Sequence, residues 1–215
     1  MKKNDTNTKL ILAESLENSF DNVVLATTET VIEVATKSFP IVSAVKGLFN
    51  GINTYNENKR MILFLSLVRE CEQQQAGKIL EIFQNKNNIE MGGEIINALE
   101  NSYLEKQAKM IARSALLYDA KEIDRSKFLK LTHIIPKLTS FLLEQLANCY
   151  ALHLERKNTG NYRIFNSDCD GAGQELTSFG FLIAVATMGG GDFYKGTEEL
   201  EFFYNYIMNN RYGRE

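Results

Sequence analysis

Carboxylate and amide side chains alternate over one short stretch in the last quarter of the chain, as they do where a calcium-binding loop begins. The stretch comprises Asn166, Asp168, Asp170 and Gly171. A complete loop also needs a bidentate glutamate at its last position, but that position is Thr177 here and Glu175 comes two residues early. The favoured interpretation is therefore a polar turn that leads into a helix, and calcium binding by residues 166–175 is the alternative.

Cysteine and histidine close to this turn suggest a second kind of metal site. Cys149 and His153 lie four residues apart, and Cys169 lies between Asp168 and Asp170. Thiolate and imidazole are zinc ligands, and one of the two aspartates would have to complete the set. Cys149, however, lies on an apolar stripe, where a free cysteine behaves as a small buried hydrophobe, and His153 is expected to be a partly buried, hydrogen-bonded residue. We therefore treat these five residues as candidate ligands only and predict neither a metal nor a cofactor.

The residue types needed for nucleophilic catalysis or phosphate binding do not form a coherent set. The chain has two histidines, His133 and His153, and no glycine–serine–glycine elbow. The glycine run at 189–191 lacks the lysine and hydroxyl that complete a phosphate loop. Neighbouring carboxylates such as Glu198 and Glu199 point apart on a helix. We therefore predict that the protein is not an enzyme.

Composition places the chain among ordinary globular proteins. Its 215 residues are 44% hydrophobic and 24% charged, with a net charge of −3, so a sizeable core is expected and the basic excess of a nucleic-acid-binding protein is absent. Three cysteines form an odd, sparse set, which indicates reduced thiols and a cytoplasmic location. Residues 1–20 lack the apolar core of a secretion signal, and no apolar run is long enough to span a membrane.

Apolar residues recur at helical spacing along most of the chain, so the sequence predicts a mostly α protein built as a helical bundle. Residues 61–68 are apolar except for Ser66, which is typical of a helix buried on all sides, with a buried strand as the alternative. The clearest stripe comprises Leu104, Ala108, Ile111, Ala112, Ala115 and Leu116. Its spacing predicts a long amphipathic helix.

Two residues mark the boundaries of the helices that follow. Asp124 has the residue type of a helix N-cap, and Ile123 and Phe128 are spaced as the two members of a hydrophobic staple. Pro136 either kinks the next helix or marks where a new one starts.

The last part of the chain changes character. It predicts a short helix, an apolar strand, a glycine turn at 189–191, an aromatic strand and a closing helix. The mostly α fold therefore gains a small C-terminal β-hairpin, and helix, hairpin and helix together are winged-helix-like. We predict a helical bundle over 1–157 and a helix–hairpin–helix tail over 158–215 packed on it, or a single domain over 1–215.

Three segments resemble a group of uncharacterised bacterial helical proteins: KQAKMIARSALLYDAKEIDRSKFLKLTHII, LTSFGFL and YKGTEELEFFYNYI. The shared pattern is a lysine-led helix, an Ile-Asp break before a phenylalanine, a hairpin and a closing helix. The chain departs from it at Phe181 and Leu182, which follow Gly180, and at Glu199, where the group has glycine. The motifs are structural, so the resemblance implies a bacterial helical protein and transfers no activity to any residue.

These patterns favour a non-enzymatic cytoplasmic interaction or regulatory protein that acts through a protein partner or through self-association. Aromatic residues near the C-terminus support this, because those not needed in the core would serve as interface anchors; they are Phe193, Tyr194, Phe202, Phe203, Tyr204 and Tyr206. The alternative is a membrane-peripheral or membrane-active protein that uses the semi-apolar stretch 20–52. A third hypothesis is DNA binding through the winged-helix-like tail, which the acidic balance of residues 144–215 disfavours.

Overall fold

The computed structural model of the protein describes residues 54–75, 77–84, 89–160, 162–185 and 193–211. Helices make up most of these residues, and three short strands form one antiparallel sheet, which confirms the predicted mostly α fold with a small β region. No helix within these ranges is both long enough and apolar enough to cross a membrane. Two expectations fall outside the described residues, namely the membrane-active stretch 20–52 and the glycine turn 189–191.

The described residues form two compact units, one ending at His133 and the other beginning at Ile134. Each unit has its own fully buried apolar side chains. Those of the first include Leu67, Ile82, Ile95 and Ile111, and those of the second include Leu138, Leu146, Ile164, Leu176 and Leu200. The division into domains over 1–157 and 158–215 stays a prediction.

Five α-helices make up the described part of the first unit. They are α1 (Thr54–Gln74), α2 (Lys78–Gln84), α3 (Ile89–Glu100), α4 (Glu105–Asp119) and α5 (Arg125–Ile134). The long helix α1 packs mainly against α4. All side chains from residue 63 to residue 68 are buried, including Ser66. This confirms the helix predicted to be buried on all sides, and the strand alternative is wrong.

The stripe and the cap predicted for α4 and α5 are present. The buried side chains of α4 include Ala108, Ile111, Ala112, Ala115 and Leu116, while Leu104 forms the extended N-cap. Asp124 precedes α5, and its Oδ1 accepts a hydrogen bond from the Lys127 backbone N–H at 2.7 Å. Ile123 and Phe128 are both buried, as the predicted staple requires. The α4–α5 connection is therefore specified by local sequence.

One partly buried ion pair joins α1 to α4. Arg113 Nε donates to Glu70 Oε1 at 2.8 Å, and the two side chains are only 13% and 7% exposed. Gln74 Nε2 donates to the same carboxylate oxygen at 2.8 Å. Removing a single partner would leave the other buried without its counter-charge, which costs far more than the loss of an exposed pair.

We expect Arg113→Met to lower the free energy of unfolding by about 3 kcal/mol, because the Glu70 carboxylate would stay buried without its cation. The matched control is Arg125→Met on α5, where both Arg125 and its partner Glu90 are more than half exposed; its cost should be much smaller, because water screens an exposed pair. The double variant Glu70→Gln/Arg113→Met should recover most of the lost free energy of unfolding, because it no longer buries an unpaired carboxylate. Urea unfolding followed by circular dichroism measures all three, and equal costs for the two arginine variants would contradict the expectation.

The second unit begins with a 3-10 turn at Ile135–Lys137, so Pro136 marks a helix restart and not a kink. Its helices are α6 (Ser140–Thr159), α7 (Gly173–Ser178) and α8 (Glu198–Phe202), and α8 continues as a π-helix over Phe203–Met208. A second 3-10 turn covers Asn166–Cys169. The strands are β1 (Ile164–Phe165), β2 (Leu182–Val185) and β3 (Phe193–Gly196).

The hairpin predicted for the tail is present as β2 and β3. The central strand β3 pairs antiparallel with β2 on one side and with β1 on the other. Phe193 lies opposite Phe165 of β1 and opposite Val185 of β2, while Lys195 lies opposite Ile183. The sequence did not indicate β1, because two residues are too few for a strand pattern. The winged-helix-like interpretation stays a prediction.

Close packing between α7 and β3 depends on a glycine. A Cβ atom added to the buried Gly173 would lie 2.6 Å from Cζ of the Tyr194 ring, and Tyr194 is itself 5% exposed. No larger residue therefore fits here without moving the ring or the helix.

We expect Gly173→Ala to destabilise the protein by about 1–3 kcal/mol through overpacking against Tyr194. Gly93→Ala is the matched control, because Gly93 lies exposed within α3 and an added Cβ would meet nothing within 4 Å. That variant should gain about 0.5–1 kcal/mol from helix propensity. Thermal unfolding compares the two, and a Gly173→Ala protein at least as stable as wild type would refute the close contact.

Candidate functional site

Two of the predicted candidate ligands lie in contact. Cys149 lies on α6 and Cys169 ends the 3-10 turn, and their Sγ atoms are 2.9 Å apart. Both thiols are free and fully buried, as is the thiol of Cys71 in the first unit. The turn thus places side chains twenty residues apart in sequence within hydrogen-bond distance of each other. We call Cys149 and Cys169 the dithiol.

The pKa values of the two thiols of the dithiol are shifted in opposite directions. The hydrogen bond with Cys149 lowers the pKa of the Cys169 thiol, and the guanidinium of Arg156 lowers it further, whereas burial and the carboxylates of Asp168 and Asp170 oppose that shift. The pKa of the Cys149 thiol is raised, first by its hydrogen bond to Cys169 and then by burial. The same hydrogen bond is the largest cause of both shifts, and either sulfur can be its donor.

The two aspartates that flank Cys169 have partners within the protein. Asp168 Oδ2 lies 2.8 Å from Arg156 Nη2 and accepts the Phe165 backbone N–H at 2.9 Å. Asp170 Oδ2 accepts from Gln145 Nε2 at 3.1 Å. These contacts orient the turn with its carboxylates toward cations and donors of α6 and β1.

The conformation of the turn agrees with the favoured interpretation of the sequence. Asp170 and Gly171 both have positive φ, at 46° and 84°, and α7 follows with Glu175 in its first turn. No group of three or more histidine, cysteine, aspartate or glutamate side chains within the described ranges is arranged to hold a metal ion. The segment forms a 3-10 turn that leads into a helix, and the alternative of calcium binding by residues 166–175 stays a prediction.

His153 lies one helical turn after Cys149 and is directed to a different element. Its Nε2 is 2.8 Å from Glu201 Oε1 on α8, and the ring is 5% exposed. Lys157 Nζ contacts the same carboxylate oxygen at 2.7 Å. A Cβ atom at Gly196 would lie 2.6 Å from Cγ of the imidazole ring. His153 is thus hydrogen-bonded and buried, as expected, while His133 is exposed on α5.

The outward face of the sheet carries apolar side chains in register. Strand pairing places Phe165, Phe193 and Val185 side by side, with Ile183 and Lys195 as the next pair on the same face. Ile183 is 57% exposed, Phe165 44% and Val185 40%. We call these five residues the sheet patch. On the opposite face Ile164, Leu182 and Tyr194 are buried, while Ala184 is exposed.

Cationic side chains lie over the aromatic rings at and beside the sheet patch. The guanidinium of Arg156 is 5.7 Å from the centroid of the Phe165 ring, and that of Arg163 is 5.5 Å from the Phe193 ring. Lys195 Nζ lies 4.8 Å from the ring of Tyr162, which is 43% exposed. The two phenylalanine rings meet edge to face at 4.7 Å. The patch therefore combines an exposed apolar surface with nearby cations, of which Arg156 is also paired with Asp168.

The many aromatic residues near the C-terminus predicted part of this surface. Tyr194 and Phe203 close the core, whereas Phe193 is half-buried on the sheet patch and Tyr206 is exposed on the π-helix. Phe165, Ile183 and Val185 were missed, since their common face exists only after three strands pair. The alternation of Phe193 and Lys195 with buried neighbours could have identified β3 as a half-exposed strand.

Comparison of the chain with protein-family models, with curated proteins and with solved structures found no match. The resemblance to bacterial helical proteins accordingly stays a prediction.

The carboxylate of Glu201 should make the stability of the protein depend on pH. Hydrogen bonds from Lys157 and then from His153 hold the pKa of Glu201 below its ordinary value. A carboxyl group whose pKa is lower in the folded state stabilises that state above the unfolded pKa, near 4.3, and loses the contribution as the pH falls through the folded value.

We expect Glu201→Gln to cost about 1 kcal/mol at pH 7, an amount reduced because the side chain is about one-third exposed. The difference from wild type should shrink at a second, acidic pH below the unfolded value of about 4.3, as the carboxylate takes up its proton. Glu198→Gln, an exposed site on the same helix, removes the same charge without these contacts and should leave stability nearly unchanged. Urea unfolding at both pH values tests this, and a cost independent of pH would count against the ion pair.

Proposed function

We propose that this protein is a non-enzymatic interaction protein of the cytoplasm that docks a partner protein on the sheet patch. The observation that carries the proposal is the exposure, on one face of a three-stranded sheet, of Phe165, Ile183 and Val185. Antiparallel sheets with one face in water usually have polar residues on that face. Apolar residues that stand together in water are a feature of interaction sites.

The basic groups favour a partner segment that is acidic and carries apolar or aromatic side chains. Arg163 and Lys195 each lie over an aromatic ring at or next to the patch, whereas the whole chain has a net charge of −3. The third cation, Arg156 beside Phe165, is already paired with Asp168. A local positive surface in a negative protein attracts carboxylates and repels basic partners. Apolar side chains of the partner would cover Ile183 and Val185, while its carboxylates would meet the cations at the edge.

The number of cysteines supports a cytoplasmic location. Three cysteines in 215 residues form an odd and sparse set, whereas extracellular proteins usually use cysteines in disulfide pairs.

The test is selection of binding peptides from a random display library on the immobilised full-length protein, followed by affinity measurement with patch variants. Selected peptides should be enriched in acidic and aromatic or aliphatic residues. Ile183→Thr and Lys195→Glu should each weaken their binding by about tenfold, a loss of about 1.4 kcal/mol. Phe141→Ser is the matched control, because Phe141 is 47% exposed on α6 and lies outside the patch. This substitution should leave the affinity of the selected peptides unchanged.

Three results would overturn the proposal. Peptides without acidic bias, or with affinities unchanged by both patch variants, would remove the patch as a protein-docking site. Salt-dependent binding of a single-stranded oligonucleotide that is lost in Lys195→Glu would instead assign the aromatic rings to base stacking. A homodimer that dissociates in Ile183→Thr during sedimentation would place a second copy of this chain on the patch.

A further inference from the structure

We propose that Cys149 and Cys169 are a peroxide-reactive dithiol that closes reversibly to an intramolecular disulfide. The inference concerns a modification site distinct from the sheet patch, and it holds whether or not the patch docks a protein. It rests on the contact between two free thiols on neighbouring elements, 2.9 Å apart at Sγ.

The geometry requires little movement to form the bond. A disulfide has a sulfur–sulfur distance of about 2.05 Å, so the two sulfur atoms must approach by roughly 1 Å. Cys149 is fixed within the twenty-residue helix α6, whereas Cys169 ends a four-residue 3-10 turn. Asp170 and Gly171, both with positive φ, follow immediately. A short turn of this kind adjusts its backbone at lower cost than a long helix does.

The surroundings distinguish the two sulfur atoms as the reaction needs. The thiolate is the nucleophilic form of cysteine, and Cys169 is the member whose pKa is lowered by the hydrogen bond with Cys149 and by Arg156. Cys149 keeps its proton more firmly, since its pKa is raised. One sulfur is thus suited to attack an oxidant and the other to resolve the product.

The reaction with hydrogen peroxide balances in two steps. The Cys169 thiolate attacks one peroxide oxygen, the O–O bond breaks, and the hydroxide that leaves takes up the proton lost by the thiol, which gives a sulfenic acid and water. The Cys149 sulfur then attacks the Cys169 sulfur, the S–O bond breaks, and the hydroxide leaves with the Cys149 proton as a second water. The two sulfur atoms lose two electrons in total, and the peroxide accepts them.

Burial selects the oxidant. Both side chains have no exposed surface, so a large disulfide reagent cannot reach either sulfur without extensive opening of the unit. A hydroperoxide as small as hydrogen peroxide needs only a transient opening of the turn. Cys71 provides an internal comparison, because it is equally buried but its pKa is raised by desolvation and by Glu72 and Glu70, and it has no second cysteine beside it.

The disulfide would link the 3-10 turn covalently to α6. The bond would close a loop across twenty residues, and this loop contains β1, whose Phe165 directly precedes the turn. The Cys169 Sγ also lies 3.7 Å from the Phe165 carbonyl oxygen. Oxidation should therefore make the backbone of β1 and the turn harder to open.

The experiment treats the full-length reduced protein with hydrogen peroxide, blocks the remaining thiols under denaturing conditions and maps the peptides by mass spectrometry. A peptide pair linked through Cys149 and Cys169 should appear at least about tenfold faster than any oxidation of Cys71, and dithiothreitol should reverse it. Cys71→Ser should behave like wild type. Amide hydrogen exchange should become slower in residues 164–170 of the oxidised protein.

A second variant checks the order of the steps. In Cys149→Ser the sulfenic acid on Cys169 should persist and be captured by dimedone, because the resolving thiol is absent. If this variant does not fold, the peptide map of the wild-type protein still shows whether the disulfide between Cys149 and Cys169 forms. Oxidation of all three cysteines at one rate, a link between Cys71 and another cysteine, or a bond between two chains would overturn the proposal.

Discussion

One face of helix α6 holds the elements of the second unit together. Gln145, Cys149, His153 and Lys157 follow each other at intervals of four residues and lie on that face. Their contacts reach Asp170, Cys169 and Glu201 in turn. The partners are short elements, a four-residue turn and a five-residue helix, which have little stability of their own. Their positions therefore depend on side-chain bonds to α6 more than on helix or strand propensity.

These contacts also explain why polar side chains can be buried in the second unit. A buried polar side chain destabilises the fold unless it is hydrogen-bonded, and both Gln145 and His153 have partners. Because each partner belongs to a different element, satisfying these groups also selects one arrangement of the unit. The dithiol follows the same principle, since its two sulfur atoms come from α6 and from the turn.

The three-stranded sheet has one buried face and one exposed face. Ile164, Tyr194 and Leu182 fill the core on one side, and strand register then obliges their neighbours Phe165, Phe193 and Ile183 to face outward. A shift of one residue would exchange the two sets. The contact between Tyr194 and Gly173 opposes such a shift, because the Tyr194 ring packs closely against the position where any other residue would carry a Cβ atom. The exposed patch is thus a fixed consequence of how the core is packed.

Local sequence determined the helices and their ends, whereas tertiary structure decided which side chains form the sites. The stripe of α4, the Asp124 cap and the β2–β3 hairpin depend on neighbours close in the chain, so periodicity and residue type predicted them. Strand β1, the contact of Cys149 with Cys169 and the common face of Phe165 and Val185 join residues twenty to thirty positions apart. No periodic pattern encodes such pairings, because they arise only when the whole unit has packed.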